Sequence, residues 1–167
     1  GWRTLPGTNH PLAAYFTRGT GHNEAAGYSE RPEDWQGNLE RIGRKHDPAR
    51  GLVPQPIIDM NAEAEIGLIS YGTNDPAVVE ARDRLAKIGV KTSYLRVRAL
   101  PLESALVEFI KKHPRVYVIE NNMDGQMHSL IQLHAPQYAM RLVSLAKCDG
   151  LSLSARWIME AIQAQER

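Results

Sequence analysis

Val116-Tyr117-Val118-Ile119 is a run of β-branched and aromatic residues without polar alternation, and it breaks directly into Glu120-Asn121-Asn122-Met123-Asp124-Gly125-Gln126. A strand apolar on both faces must be covered on both faces. The polar stretch then opens a helix: Asp124 is the expected N-cap, and Met127, Leu130, Ile131 and His134 recur at helical spacing on one face. This strand, turn and helix unit sets the terms for everything after Gly51. In open α/β sheets, ligands and partners gather beyond the carboxyl ends of the strands, which makes Glu120, Asn121, Asn122, Asp124 and Gln126 the leading site candidates. Asn and Asp are equally ordinary turn formers that bond their own backbone, so a purely structural turn is the competing reading.

The same unit repeats along the chain. Ile66 to Tyr71 is a strand ending at Gly72, and Asp75 with Pro76 marks a helix start. Val78, Ala81, Leu85 and Ile88 form that helix's buried face, and Gly89 supplies its left-handed stop. Thr92 to Arg98 is the next strand; Pro101 turns the chain, and Leu102, Leu106, Phe109 and Ile110 line a helix. Met140 to Leu145 is the last strand, and Ser152 is the expected cap of a helix carrying Ala155, Ile158, Met159 and Ile162 at spacings of three and four. Strands alternating with helices imply parallel pairing through crossovers, hence a three-layer α/β sandwich with a mainly parallel sheet.

Residues 1–50 read differently, being dense in Gly, Pro, Thr, His and Asn, with Leu12 to Phe16 their main apolar cluster. Such a segment cannot form its own core, and its aromatics favour an ordered, loop-rich arm lying on other protein. Asp34 to Ile42 is expected to form a short helix with Trp35, Leu39 and Ile42 on one face. Gly51-Leu52-Val53-Pro54-Gln55-Pro56 is a hinge by composition, which divides the chain into an arm, 1–50, and a domain, 51–167.

With 167 residues, 43% of them hydrophobic, the chain can bury a real core without disulfides or metal. Its one cysteine, Cys148, suits a reducing cytoplasm and is expected to be a buried, inert thiol. Residues 1–50 carry seven Lys/Arg against six Asp/Glu and the remainder thirteen of each, so no half forms the basic arm that nucleic-acid binding requires. No run is apolar enough to suggest a membrane span or signal peptide, and the start Gly-Trp-Arg suggests a piece of a longer polypeptide.

Complete active sites are missing. Tyr71-Gly72-Thr73-Asn74-Asp75-Pro76 lacks the glycines of a dinucleotide loop and the Lys-Ser/Thr of a P-loop. His22 with Glu24, and His128 with His134, fail the spacing that puts two metal ligands on one helix face, so no metal site is expected. No nucleophile elbow is present. The densest polar cluster is Thr17 to Glu24, where Arg18, His22 and Glu24 would either grip an anionic ligand or complete a structural loop. No catalytic or cofactor-binding residue is assigned from the residues themselves.

Six segments together resemble one family: Thr4-Leu5-Pro6-Gly7-Thr8, Tyr15 to Thr20, Tyr28-Ser29-Glu30, Gly51 to Pro56, Leu95-Arg96-Val97-Arg98-Ala99-Leu100-Pro101 and Val118 to Asn122. Their order is similar to the C-terminal part of the alpha subunit of 2-oxoacid:ferredoxin oxidoreductases, nearest the 2-oxoglutarate branch. The resemblance implies a domain similar to the C-terminal domain of transketolase, used for assembly, with residues 1–50 as the arm leaving a pyrimidine-binding domain that precedes Gly1. It also implies, for the complete enzyme, thiamine diphosphate, Mg2+, an iron-sulfur cluster and coenzyme A. The implied partners are the rest of the alpha subunit, a beta subunit and ferredoxin. The implied reaction is oxidative decarboxylation of a 2-oxoacid to acyl-CoA (succinyl-CoA from 2-oxoglutarate), CO2 and reduced ferredoxin, which this chain would support without performing. Arg18 to Glu24 and Glu120 to Gln126 would then face the beta subunit or the active-site edge. The rival readings are a free-standing protein-interaction module and a small-molecule-binding α/β domain with its ligand at Asn121-Asn122.

Overall fold

The structure is a computed structural model that describes residues 4–14, 21–102 and 104–166. The chain divides into two compact units, Gly1–Leu52 and Val53–Arg167.

In the first unit the prominent element is α1 (Pro32–Arg50), which runs well past the stop expected at Ile42. Pro32 and two acidic residues, Glu33 and Asp34, suit its first turn. Beyond Ile42 it continues as a solvated polar extension, helped by ion pairs of Glu40 with Arg44 and of Asp47 with Arg50, a support that apolar periodicity does not register. No α1 residue is buried within the unit; Trp35, Leu39 and Ile42 are all exposed there.

The second unit is a five-stranded sheet in the order β1-β3-β2-β4-β5, formed by β1 (Ile57–Asp59), β2 (Ile66–Tyr71), β3 (Thr92–Val97), β4 (Arg115–Glu120) and β5 (Leu142–Ala146). β3, β2, β4 and β5 are parallel; β1 runs antiparallel to β3, with Ile57 opposite Arg96. The helices are α2 (Asp75–Lys87), α3 (Ser104–Lys111), α4 (Gln126–His134) and α5 (Ala155–Gln165). Alternation along the strands feeds two cores. Leu68, Tyr94, Tyr117 and Ile119 meet α2 and α5 through Val78, Ala81, Leu85, Ile158 and Ile162. Ile69, Leu95, Val116 and Val118 meet α3 and α4 through Leu106, Phe109, Ile110, Met127 and Ile131. The mainly parallel three-layer sandwich is therefore the observed architecture.

Several local expectations are corrected. β1 lies just after the expected hinge; its three residues are all exposed and carry no burial pattern. It is held by its pairing with β3 and by Arg82 of α2, which donates to Asp59 at 2.6 Å and to the Thr92 carbonyl at 3.1 Å. Asp75 is not a cap but the first residue of α2, where its carboxylate accepts from Tyr94 Oη at 2.9 Å and pairs with Arg96 at 3.1 Å. Ser154 rather than Ser152 caps α5, its Oγ accepting from the Trp157 amide at 3.3 Å. Ile88, Leu130 and His134 are exposed at the ends or outer sides of their helices. Cys148 is exposed rather than buried, because it falls in the loop after β5. Gly89 does take the left-handed conformation, φ +85°. Among the described residues, no helix is long and apolar enough to cross a membrane.

Two buried polar groups shape the domain's response to pH. Tyr117 Oη donates to Glu166 at 2.5 Å, joining β4 to the end of α5, and burial, helped by that carboxylate, pushes the phenol up to about 12. His113 is 1% exposed; its Nδ1–H donates to the Phe109 carbonyl at 2.8 Å and its ring lies 4.6 Å from that of Phe109. Burial pushes its imidazole below the ordinary histidine value, against the hydrogen bond and with help from the Lys112 charge. The folded chain thus resists a proton that the unfolded chain accepts near pH 6.5, so stability is full above that pH and declines as pH falls below it. In an NMR titration the His113 ring is expected to have a midpoint below about 6.5. A midpoint at or above the ordinary value would reject this assignment.

Candidate functional site

The chain's direction across the sheet reverses around β2: β3 lies on one side and β4 on the other. Their connecting helices cover opposite faces, so the carboxyl ends of β2 and β4 flank the topological switch point. Tyr71 closes β2 and Glu120 closes β4.

Glu120 is fully buried, and its carboxylate is committed to the helix that follows. Oε2 accepts from the Met127 amide at 2.8 Å and from Asn122 Nδ2 at 2.6 Å; Oε1 accepts from the His128 amide at 3.0 Å. The N-cap of α4 is Gly125, which has no side chain with which to cap, so the first-turn amides that a Ser or Asp would satisfy are satisfied by the end of the strand. This overturns Asp124 as the cap: it is exposed and stands one position too early. Gly125 is required twice over. Its φ is +62°, and a Cβ there would lie 2.8 Å from Ser144 Oγ on β5.

Asn122 completes the arrangement. Its Oδ1 accepts from the Gly125 amide at 2.8 Å, and its Nδ2 donates to Tyr71 Oη at 3.1 Å, tying the two strand ends across the switch point. Asn121 donates to the Leu151 carbonyl at 3.2 Å. In the first turn of α4, His128 Nε2 is shielded from solvent and has no hydrogen-bond partner among the described residues. Glu120 and Asn122 therefore act as structural anchors. Asn121, Asp124 and Gln126 remain at the surface beside Met123, which is 83% exposed. Tyr71 and Ser144 belong to this site but carry no sequence signal beyond ending or lining strands.

The first unit holds His22 and Glu24, while Arg18 lies outside the described residues. His22 Nδ1 pairs with the Asn23 carbonyl at 3.0 Å, and Asn38 donates to the His22 carbonyl at 2.5 Å. The loop is organised by Asn23, whose Oδ1 accepts from the Ala25 and Gly27 amides at 3.0 and 2.9 Å. Glu24 is exposed. No group of three or more His, Cys, Asp or Glu among the described residues is arranged to hold a metal ion.

No family model matches the chain. Among curated proteins it is 26% identical over 127 residues to 2-oxoacid:ferredoxin oxidoreductase 2, subunit alpha, of Aeropyrum pernix, a match covering 73% of this chain and 20% of that one. It is 31% identical over 107 residues to 2-oxoglutarate oxidoreductase subunit KorA of Mycobacterium tuberculosis, covering 64% and 16%. The chain thus spans a fifth or less of the length of these relatives. Among solved structures, 97% of the chain superposes on 28% of a chain of 2-oxoglutarate:ferredoxin oxidoreductase from Magnetococcus marinus, determined with 2-oxoglutarate, coenzyme A and succinyl-CoA bound, with a TM-score of 0.76 and 21% identity. An inactive beta4 tetramer of a split-gene transketolase superposes over 66% of this chain and 41% of its own, with a TM-score of 0.56 and 16% identity. At these identities the two structures bear on the fold alone, which is transketolase-like.

Proposed function

We propose that this chain, whose curated relatives are alpha subunits of 2-oxoacid oxidoreductases, is the C-terminal, transketolase-like part of such a subunit, and that it serves assembly rather than chemistry. The reaction of the complete enzyme is the oxidative decarboxylation of 2-oxoglutarate with coenzyme A to succinyl-CoA, CO2 and reduced ferredoxin. The observation that carries an assembly role is the state of Glu120: the one buried carboxylate at the switch point spends both oxygens on backbone amides and Asn122. A carboxylate so engaged is a poor general base, since proton transfer would forfeit the bonds that cap α4.

The complete enzyme is expected to use thiamine diphosphate, Mg2+ and an iron-sulfur cluster. Among the described residues no group of three or more His, Cys, Asp or Glu is arranged to hold a metal ion, and the turn after β2 carries neither a dinucleotide glycine loop nor a P-loop. Those groups belong to the missing alpha portion and to the beta subunit, and residues 1–50 form the arm leading from a pyrimidine-binding domain. Asn121, Asp124 and Gln126 then form the rim that meets the beta subunit or the active-site edge, with the loop of Arg18, His22 and Glu24 as the arm's contribution.

The test is co-expression of this chain with the rest of the alpha subunit and a beta subunit, assayed for electron-acceptor reduction dependent on both 2-oxoglutarate and coenzyme A. Activity that requires all the pieces is the expected result; a chain that stays monomeric beside them overturns the reading. In the assembled enzyme, Asp124→Ala with Gln126→Ala is expected to weaken subunit association roughly thirtyfold, the equivalent of about 2 kcal/mol for a truncated interface anchor. The melting temperature of the isolated chain should not move, because both residues are exposed. Unaltered association would remove these residues from the interface.

A further inference from the structure

Among the described residues, clefts of similar size lie at opposite ends of the domain's sheet, and they differ in how their cations are used. The cleft at the amino ends of β2 and β4, about 420 Å³, is lined by Glu63, Glu65, Lys91, Arg115 and Glu166 among others. Both of its cations are neutralised: Lys91 pairs with Glu63, and Arg115 pairs with Glu166 at 3.1 Å. The cleft at the carboxyl ends of β2 and β3, about 430 Å³, is lined by Ile57, Gly72, Arg96, Val97 and Arg98. There Arg96 is paired with Asp75 at 3.1 Å, but Arg98 makes no ion pair or hydrogen bond among the described residues.

We propose that this second cleft binds a phosphorylated small molecule, with the phosphoryl group held by Arg98 and by the free edge of the Arg96 guanidinium. Arg96 near the end of β3 and Arg98 just beyond it stand two residues apart, the spacing that puts side chains on one face of a strand, and both line this one cleft. Each guanidinium presents five N–H donors, and Asp75 occupies only part of one fork. One carboxylate against two guanidinium groups leaves a local charge of +1, which selects an anion, and two planar forks match the several acceptor oxygens of a phosphoryl group. Gly72 also lines the cleft; its φ is +62°, and apart from its chain neighbours no described atom lies within 4 Å of where its Cβ would be, so a ligand can approach the main chain closely. Ile57 and Val97 supply apolar surface for the organic part, and the volume exceeds that of a phosphate ion alone. The location beyond the carboxyl ends of parallel strands is where such sheets place ligands. This proposal goes beyond the assembly role and does not depend on it.

The experiment is calorimetric titration of the 167-residue chain at low ionic strength with inorganic phosphate, inorganic pyrophosphate and, as a charge control, sodium chloride at matched ionic strength. Saturable binding of phosphate or pyrophosphate with one site is expected, weakened at least tenfold in Arg98→Gln and unchanged in Lys112→Gln, an exposed cation outside the cleft. Arg98→Gln should melt where the parent chain does, since Arg98 is bonded to nothing in the described fold, and a loss of binding then cannot be ascribed to unfolding. Tighter binding of pyrophosphate than of phosphate would identify the ligand as a diphosphate; the reverse order would identify a monophosphate. Absence of saturable binding, or equal losses in the two variants, overturns the proposal.

Discussion

Glu120→Ala is expected to destabilise the α/β domain by about 3 kcal/mol, read as a lowered urea midpoint with an unchanged slope. The substitution leaves the Met127 and His128 amides and one Asn122 N–H without an acceptor in a place that water does not reach readily, since Glu120 is fully buried. An unmatched buried donor costs about 1–3 kcal/mol, and the loss of an ordinary N-cap typically about 1 kcal/mol. Glu120→Gln retains one carbonyl oxygen and should cost less, about 1–2 kcal/mol, because its amide presents donors to groups that need an acceptor. If both variants unfold at the parent's urea concentration, the strand-end carboxylate is not the cap of α4. Asp124→Ala provides the comparison: as an exposed residue outside the cap it should change stability by no more than about 0.5 kcal/mol.

The second large effect is expected at the contact between Gly67 on β2 and the α3 side of the sheet. A Cβ at Gly67 would lie 2.9 Å from Phe109 Cε1 and 3.1 Å from His113 Cγ, and both rings are buried, at 2% and 1% exposure. Gly67→Ala is therefore expected to cost about 2 kcal/mol through overpacking, although alanine would normally favour a strand over glycine. Phe109→Ala should cost about 4 kcal/mol by opening a cavity in the same place. The two errors compensate, since the new methyl enters the space the ring leaves. The double variant should lose less than the sum by roughly 1 kcal/mol in a double-mutant cycle. Strict additivity would show that the ring moves aside freely and that Gly67 is not held to glycine by Phe109.

Both predictions concern positions whose residue type was plain in the sequence but whose partner was not. Glu120 was marked as a site residue by the abrupt change from Val-Tyr-Val-Ile to polar residues. Its role depends on amides seven and eight positions later, which come within reach only after the chain turns through a left-handed glycine. Asp124 satisfied every local rule for a cap and lost to a carboxylate delivered by the sheet. Ser152 lost to Ser154 for a related reason: Leu153 is buried, which fixes the entry of the chain into α5 and places Ser154 at its cap. The arm helix was found but cut short, because its last turns are held by charge pairs and carry no apolar period.

Features that depend on periodicity and on backbone restriction are legible along the chain itself. They include the four parallel strands, the apolar faces of their helices, the stop at Gly89 and the layered sandwich that these elements must form to bury both sides of the sheet. The tertiary structure alone decided which polar groups meet. It made Asp75 the partner of Tyr94 and Arg96, turned Glu120 into a cap, braced β1 with Arg82, exposed Cys148 and left Arg98 without an ion pair or hydrogen bond among the described residues beside a cleft. The difference is one of range. Burying apolar surface rewards a pattern read along the chain, whereas a hydrogen bond or ion pair is made only within about 3 Å, between residues whose separation in sequence says nothing of their distance in space.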